Sequence, residues 1–273
     1  MPKLTTPDQV NLNYTDIGSG RPIVMIHGWP LSGAAFADNA KVLAAAGYRV
    51  ITYDRRGFGQ SGKPRDGYDY DTLAADLDAL LTGLDLHDVV LLGFSMGGGE
   101  VARYLATRGS ERVGAAILSW SICPALCITK DNPDGAVPRE GFQELADACA
   151  ADHAGFVDQF CGWFYSNDQG LTVPEEVRQQ AVEIARQSAP HAAVATILSW
   201  TEDLREDCRR IDVPLLVIHG DGDQNVPLAK SSARMPEYAQ QAQLVVIEGG
   251  PHGINVSHAD QWNAAILNFL AGS

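Results

Sequence analysis

The stretch Val89-Val90-Leu91-Leu92-Gly93-Phe94-Ser95-Met96-Gly97-Gly98-Gly99-Glu100-Val101-Ala102 passes from an unbroken apolar run, through a glycine-flanked serine, into a helix-compatible sequence. An apolar run of this length suits a strand covered on both faces. Gly-x-Ser-x-Gly at the junction fits a strand-to-helix turn so tight that side chains two residues either side of the serine would strike neighbouring backbone. Such a turn holds the serine in a strained conformation with its hydroxyl at a helix N-terminus, where the helix dipole favours developing negative charge. Gly98 and Gly99 let the helix lie close to the sheet. The five-residue pattern alone is common. Strand, turn and helix in this order make Ser95 a candidate nucleophile.

The strand signature recurs on both sides. Pro22–Ile26, Tyr48–Tyr53, Gly114–Leu118, Pro214–Ile218 and Leu244–Ile247 are short β-branched runs followed by turns rich in Gly, Pro or Asp. Helical patterns such as Leu73–Leu81 lie between them. The alternation predicts a mostly parallel, doubly wound α/β sheet. One interval breaks it. From about residue 120 to about 212 helical patterns replace the alternation, and Pro174-Glu175-Glu176-Val177-Arg178 carries the proline and acidic residues of a helix start. The interval holds Phe156, Phe160, Trp163, Phe164, Tyr165 and Trp200. We read residues 1–273 as one domain with a helical cap inserted at about 120–212. Most of these aromatics are expected to form the cap's own core, and one or two to line a pocket.

A serine hydroxyl needs a base to become a nucleophile. In elbows of this kind the acid and then the histidine follow the serine along the chain, so the candidates are His153, His191, His219, His252 and His258. His252, in Gly249-Gly250-Pro251-His252-Gly253 just after the last apolar strand, falls at the carboxyl end of the sheet, level with Ser95, and is the expected base. His258, in Ser257-His258-Ala259-Asp260, reads as a first-turn residue of a helix over Trp262–Leu270. The acid, which accepts the Nδ1 proton and offsets the imidazolium charge, belongs after the penultimate strand. Asp221 and Asp223 both stand there, and the residues alone leave the choice open. His219, ending that strand, reads as structural.

Acyl transfer also needs donors for an oxyanion. The backbone N–H of Met96, directly after the nucleophile, is one candidate. The Trp29 N–H in Ile26-His27-Gly28-Trp29-Pro30 is the other, since Pro30 has no N–H. His27 precedes Ser95 and reads as a structural hydrogen-bonding residue. Asp54-Arg55-Arg56-Gly57-Phe58-Gly59-Gln60-Ser61 lacks the spacing of a phosphate loop and reads as a buttress of the sheet's active end.

Composition narrows the partners. The chain has 273 residues, 45% of them hydrophobic, and 20 Lys plus Arg against 34 Asp plus Glu, a net charge of −14. Such a surface repels nucleic-acid phosphates and anionic lipid, so neither nucleic acid nor membrane is an expected partner. The N-terminus shows no secretory pattern and no apolar run is long enough to span a bilayer, giving a cytoplasmic expectation. Cys123, Cys127, Cys149, Cys161 and Cys208 are odd in number and scattered, and are expected as buried free thiols rather than disulfides or metal ligands. No haem or metal motif is evident, so no cofactor and no metal are expected.

Several of these segments together resemble one family, the cofactor-independent haloperoxidases or perhydrolases and the related aryl esterases of the α/β-hydrolase fold. The resemblance rests on His27-Gly28-Trp29-Pro30-Leu31-Ser32, Tyr53-Asp54-Arg55-Arg56-Gly57, Gly93-Phe94-Ser95-Met96-Gly97-Gly98-Gly99-Glu100-Val101, His219-Gly220-Asp221-Gly222-Asp223-Gln224 and Gly250-Pro251-His252-Gly253. It implies Asp223 as the acid, with Asp221 a turn residue. It also implies ester hydrolysis through an acyl-enzyme, with hydrogen peroxide replacing water in some members to yield a peracid that oxidises halide. A small-molecule ester is then the expected partner, with peroxide a second one, and a homo-oligomer is left open. Trp120-Ser121-Ile122-Cys123-Pro124 departs from the Gly/Ala-rich stretch of that family, which bears on pocket shape. Dehalogenases and epoxide hydrolases share His-Gly-Trp-Pro but place aspartate at the elbow, so Ser95 argues against both. Lactonase, lactamase and carbon–carbon hydrolase activities would use the same triad. A non-catalytic ligand-binding protein on the same fold is the alternative of another class.

Overall fold

The computed structural model describes residues 2–272; Met1 and Ser273, the ends of the expected 1–273 domain, lie outside the described residues. Eight strands form the main sheet: β1 (Lys3–Thr5), β2 (Asn11–Gly18), β3 (Pro22–Ile26), β4 (Arg49–Tyr53), β5 (Val89–Phe94), β6 (Val113–Ser119), β11 (Leu215–Gly220) and β12 (Ala242–Ile247). Their order is β1-β2-β4-β3-β5-β6-β11-β12. The six strands from β4 to β12 are parallel. β1 and β2 pair antiparallel at one end and are the two strands that the apolar-run criterion misses. β2 reads Asn-Leu-Asn-Tyr-Thr-Asp-Ile-Gly and is half exposed, so it lacks the apolar run that marks its neighbours. β5 and β11 are buried along their whole length.

Helices α1 (Ala37–Ala45) and α10 (Ala259–Leu270) pack together as one layer, and α2 (Tyr70–Gly83), α3 (Met96–Arg108) and α8 (Arg205–Arg209) as the other. The chain leaves β3 towards β4 and then crosses back to β5 on the far side of β3. The strand order therefore reverses between β3 and β5, the place where open α/β sheets bind ligands at their carboxyl ends. The loop after β3 and the turn after β5 face each other there.

Between β6 and β11 lie α4 (Arg139–Ala151), α5 (His153–Phe164), α6 (Glu175–Ala185) and α7 (Pro190–Ser199), followed by α8. Two two-residue strand pairs, β7 (Cys127–Ile128) with β8 (Val137–Pro138) and β9 (Ser166–Asn167) with β10 (Gly170–Leu171), stiffen this segment. They are too short to leave a sequence pattern. α6 starts where Pro174 and its acidic neighbours place it. Leading into α10 is a four-residue helix, α9 (Ile254–Ser257); His258 is the N-cap between the two rather than a first-turn residue, and no side chain caps α10. All five cysteines are buried and unpaired. Among the described residues no helix is long and apolar enough to cross a membrane.

Candidate active site

Ser95 sits at the junction of β5 and α3 with φ 55° and ψ −119°, a conformation L-residues rarely adopt. The glycines around it have steric causes. A Cβ on Gly93 would overlap the Gly97 carbonyl, and one on Gly97 would lie 2.5 Å from the Ile26 carbonyl oxygen of the adjacent strand. Ser95 donates its backbone N–H to Ser119 at 2.8 Å, which ties the turn to β6. Its side chain stands at the N-terminus of a thirteen-residue helix, where the first N–H groups have no intrahelical acceptor.

Three loops at the carboxyl end of the sheet bring the remaining groups together. His252, after β12, has Nε2 2.9 Å from Ser95 Oγ and Nδ1 2.7 Å from Asp223 Oδ2. With the carboxylate accepting from Nδ1–H, Nε2 is left as the acceptor for the serine hydroxyl. Asp223, after β11, has its other oxygen occupied by the backbone N–H groups of Asn225 and Val226 at 2.8 and 3.0 Å. Burial alone would push its carboxyl up. Charge on His252 and hydrogen bonds from His219 and His252 outweigh burial and hold it well below the usual carboxylate range. Asp223 therefore stays ionised wherever the protein is folded near neutrality.

The other candidates fall elsewhere. Asp221 spends Oδ1 on the Gly249 N–H at 2.6 Å and is exposed, so it braces the His252 loop instead of touching the ring. His258 bonds the neighbouring Ser257 hydroxyl. His153 lies against Ser188, and His191 against the Pro64 carbonyl. His219 is more than a strand-end residue. Its Nε2 lies 3.2 Å from Asp223 Oδ2 and 2.8 Å from the Val226 carbonyl, and its ring stacks 5.3 Å from Trp120. The i,i+4 spacing of His219 and Asp223 across a strand end was the available signal, but nothing in spacing alone distinguishes a contact there from a miss.

Gly28 approaches the turn so closely that a Cβ on it would lie 3.0 Å from Ser95 Cβ. Trp29, the next residue, and Met96, the first of α3, thus bring two backbone N–H groups beside Ser95. Among the described residues neither donates to another protein group. The Trp29 side chain points the other way, into the inserted segment. Its Nε1 donates to the Ala193 carbonyl at 3.0 Å, and its ring meets Phe156, Phe160 and Trp200 edge-on at 5.9, 4.6 and 5.5 Å.

A cavity of about 180 Å³ reaches Ser95 and His252. Of the six aromatics singled out in the inserted segment, Phe160, Trp163 and Trp200 line it, three where one or two were expected, while Phe156, Phe164 and Tyr165 are buried; Phe142 adds a fourth ring. Leu145 and Ile122 complete an apolar wall. The divergent Trp120 is fully buried beneath the cavity against Phe94 and His219, so of that stretch only Ile122 reaches the pocket. Larger surface depressions between α1, α6 and α10 and beside β12 touch neither Ser95 nor His252. Ser95 is 7% exposed and opens onto this cavity. The segment also grips the His252 loop, because the Phe164 carbonyl accepts the Gly253 N–H at 2.7 Å and Asn167 Nδ2 donates to the Gly249 carbonyl at 2.9 Å.

Comparison with known proteins agrees with this architecture. A family model described as the alpha/beta hydrolase fold matches residues 21–259. The chain is 41% identical over 274 residues to a non-heme chloroperoxidase of Kitasatospora aureofaciens, covering 99% of each chain. It is 33% identical to a bifunctional esterase/perhydrolase of Acinetobacter calcoaceticus, covering 98% of each. A bromoperoxidase of Bacillus anthracis superposes with a TM-score of 0.96 at 39% identity, covering 99% of both chains.

Proposed function

The chain belongs to the alpha/beta hydrolase family, and we propose that it is a serine esterase with Ser95 as nucleophile, His252 as base and Asp223 as the group that orients His252. The observation that carries this reading is the unbroken hydrogen-bond chain from Ser95 Oγ through His252 to Asp223, opening on an apolar cavity. As Ser95 Oγ attacks the ester carbonyl, His252 Nε2 takes its proton, and the ionised Asp223 offsets the imidazolium charge. The carbonyl oxygen becomes an oxyanion between the N–H groups of Met96 and Trp29, where α3's dipole adds to its stabilisation. His252 then returns the proton to the departing alkoxide, leaving an acyl-Ser95 ester and free alcohol.

Deacylation repeats the cycle with a small nucleophile. Water, deprotonated by His252, yields the carboxylic acid. Hydrogen peroxide in the same place yields a peracid and restores Ser95, and the peracid oxidises bromide to hypobromous acid outside the protein while itself becoming the carboxylic acid. The relatives named for haloperoxidase and perhydrolase activity support this second outcome. The inserted segment serves as a cap whose aromatic wall suits short acyl and aryl groups, because such pockets select by apolar contact.

A panel of short-chain p-nitrophenyl esters, run with and without peroxide and bromide, tests both outcomes. Turnover well above that of Ser95→Ala is expected, with halogenation appearing only when peroxide, bromide and an acyl donor are all present. No turnover above that control, together with no fluorophosphonate label on Ser95 of the folded protein, would overturn the reading.

A further inference from the structure

Beneath the turn lies a charged pair that the mechanism leaves unused. Arg55, after β4, and Glu100, in the second turn of α3, are both fully buried and joined by the Arg55 Nε and Nη2 groups on Glu100 Oε1. Tyr53 donates to the other Glu100 oxygen at 2.9 Å. A buried ion pair is weak support for stability, since desolvation consumes most of the Coulombic gain. Its connections suggest a different service. Arg55 Nη2 donates to the His27 carbonyl at 2.6 Å, and the Arg55 backbone N–H donates to His27 Nε2 at 3.0 Å. His27 Nε2 is thus an acceptor, so its proton sits on Nδ1, which donates to the Gly28 carbonyl at 2.8 Å.

That carbonyl shares one rigid peptide plane with the Trp29 N–H. Holding the Gly28 oxygen therefore aims the Trp29 N–H in the opposite direction. At its other end the network is anchored on α3, whose first residue supplies the Met96 N–H.

We propose that Arg55 and Glu100, acting through His27, form a positioning network that sets the Trp29 N–H against the Met96 N–H and so fixes the geometry of the oxyanion site. The inference rests on the esterase reading above. Arg55 is suited to the task because one planar guanidinium can hold the His27 carbonyl and the carboxylate together, which a lysine cannot reproduce. The role belongs to the transition state. Ground-state binding in the apolar cavity does not pass through these groups.

The test compares Glu100→Gln, Arg55→Lys and the double variant Arg55→Met/Glu100→Leu with wild type. As a control, Arg56→Met/Asp76→Leu removes a neighbouring buried pair, bidentate at 2.6 Å, that makes no hydrogen bond to residues 27–29. Removing one oxyanion donor outright costs about 10²–10³ in kcat. Loss of its aim is expected to cost about 10- to 100-fold, with KM for p-nitrophenyl acetate within about twofold. Affinity for a trifluoromethyl ketone, whose Ser95 adduct places an oxyanion in the site, should weaken by the same factor. Glu100→Gln should retain more kcat than Arg55→Lys, and the control pair should change melting temperature with kcat intact. A folded double variant with wild-type kcat and wild-type ketone affinity would overturn the proposal, as would a folded Arg55→Lys with both unchanged. Absence of turnover in the wild type would strike the esterase reading instead, so the two failures are distinguishable.

Discussion

The carboxyl end of the sheet and the inserted helical segment meet at one cavity but are built by different means. Around Ser95, position is set by backbone. Strand pairing brings Ile26 beside Gly93, two glycines admit neighbouring carbonyls, and a buried charged pair braces the loop after β3. In the inserted segment, position is set by side chains, chiefly rings meeting edge-on around Trp29, with two-residue strands as its only sheet structure. Trp163, at the cavity, is 41% exposed. Backbone constraints tolerate little change, while apolar contacts adjust to volume. Reacting atoms need placement to fractions of an ångström, whereas acyl selection needs a wall of suitable shape. The division of construction matches the division of labour.

The largest effect expected is at the reacting groups. Ser95→Ala should lower kcat by about ten-thousand-fold or more, and Asp223→Asn by about ten-thousand-fold through the wrong His252 tautomer. Ser95→Ala should leave the thermal melt nearly unchanged, as steady-state kinetics and calorimetry would show. A melting loss for Ser95→Ala would mean the site is structural, which would break the comparison.

Next is the frame. Gly97→Ala forces a Cβ against the Ile26 carbonyl, so about 1–3 kcal/mol of stability should be lost in urea denaturation. kcat should fall with it, because β3 can yield only by moving the loop that carries Trp29. Loss of stability with full kcat would show the turn to be softer than its contacts indicate.

The segment should behave differently. Trp200→Ala or Phe160→Ala removes cavity wall, and about 1–3 kcal/mol of apolar discrimination sits in such contacts. KM values for acetate and hexanoate esters should shift unequally, by about 3- to 10-fold, while kcat on acetate changes little. A uniform fall in kcat would place these rings in the chemistry instead.

The smallest effect concerns pH. Burial, and then the charge of Arg55, hold the pKa of His27 well below its ordinary value. In the unfolded chain the same histidine titrates near about 6.5. As pH falls below that value the unfolded state takes up a proton that the folded state refuses, so stability is full above about 6.5 and declines below it. His153, lowered by burial, adds a change of the same sign. Urea midpoints should fall between pH 7 and pH 5, and His27→Gln should flatten that slope. An unaltered slope would remove His27 as its source.

Much of this fold is legible in the sequence. β3, β5, β6 and β11 are buried on both faces, so their apolar runs stand out, and the glycines flanking Ser95 mark a turn that no larger residue can make. Solvent-facing β2, the two-residue strands and the His258 cap left no such mark, because half-exposed or very short elements are held by their neighbours rather than by their own pattern. The pattern of residues also pointed to Ser95 and, by its place after the last strand, to His252; between Asp221 and Asp223 it left the choice open, and only the family resemblance favoured Asp223. Tertiary structure alone decided that His252 reaches Ser95 across 157 positions of chain, that Asp221 is spent on Gly249 while Asp223 meets the ring, and that His219 supports the acid. It alone showed Arg55 and Glu100 joined under the loop. Local pattern reports what a residue's immediate neighbours require. Contacts between loops from separate strands depend on how the whole sheet closes, and no spacing along the chain records that.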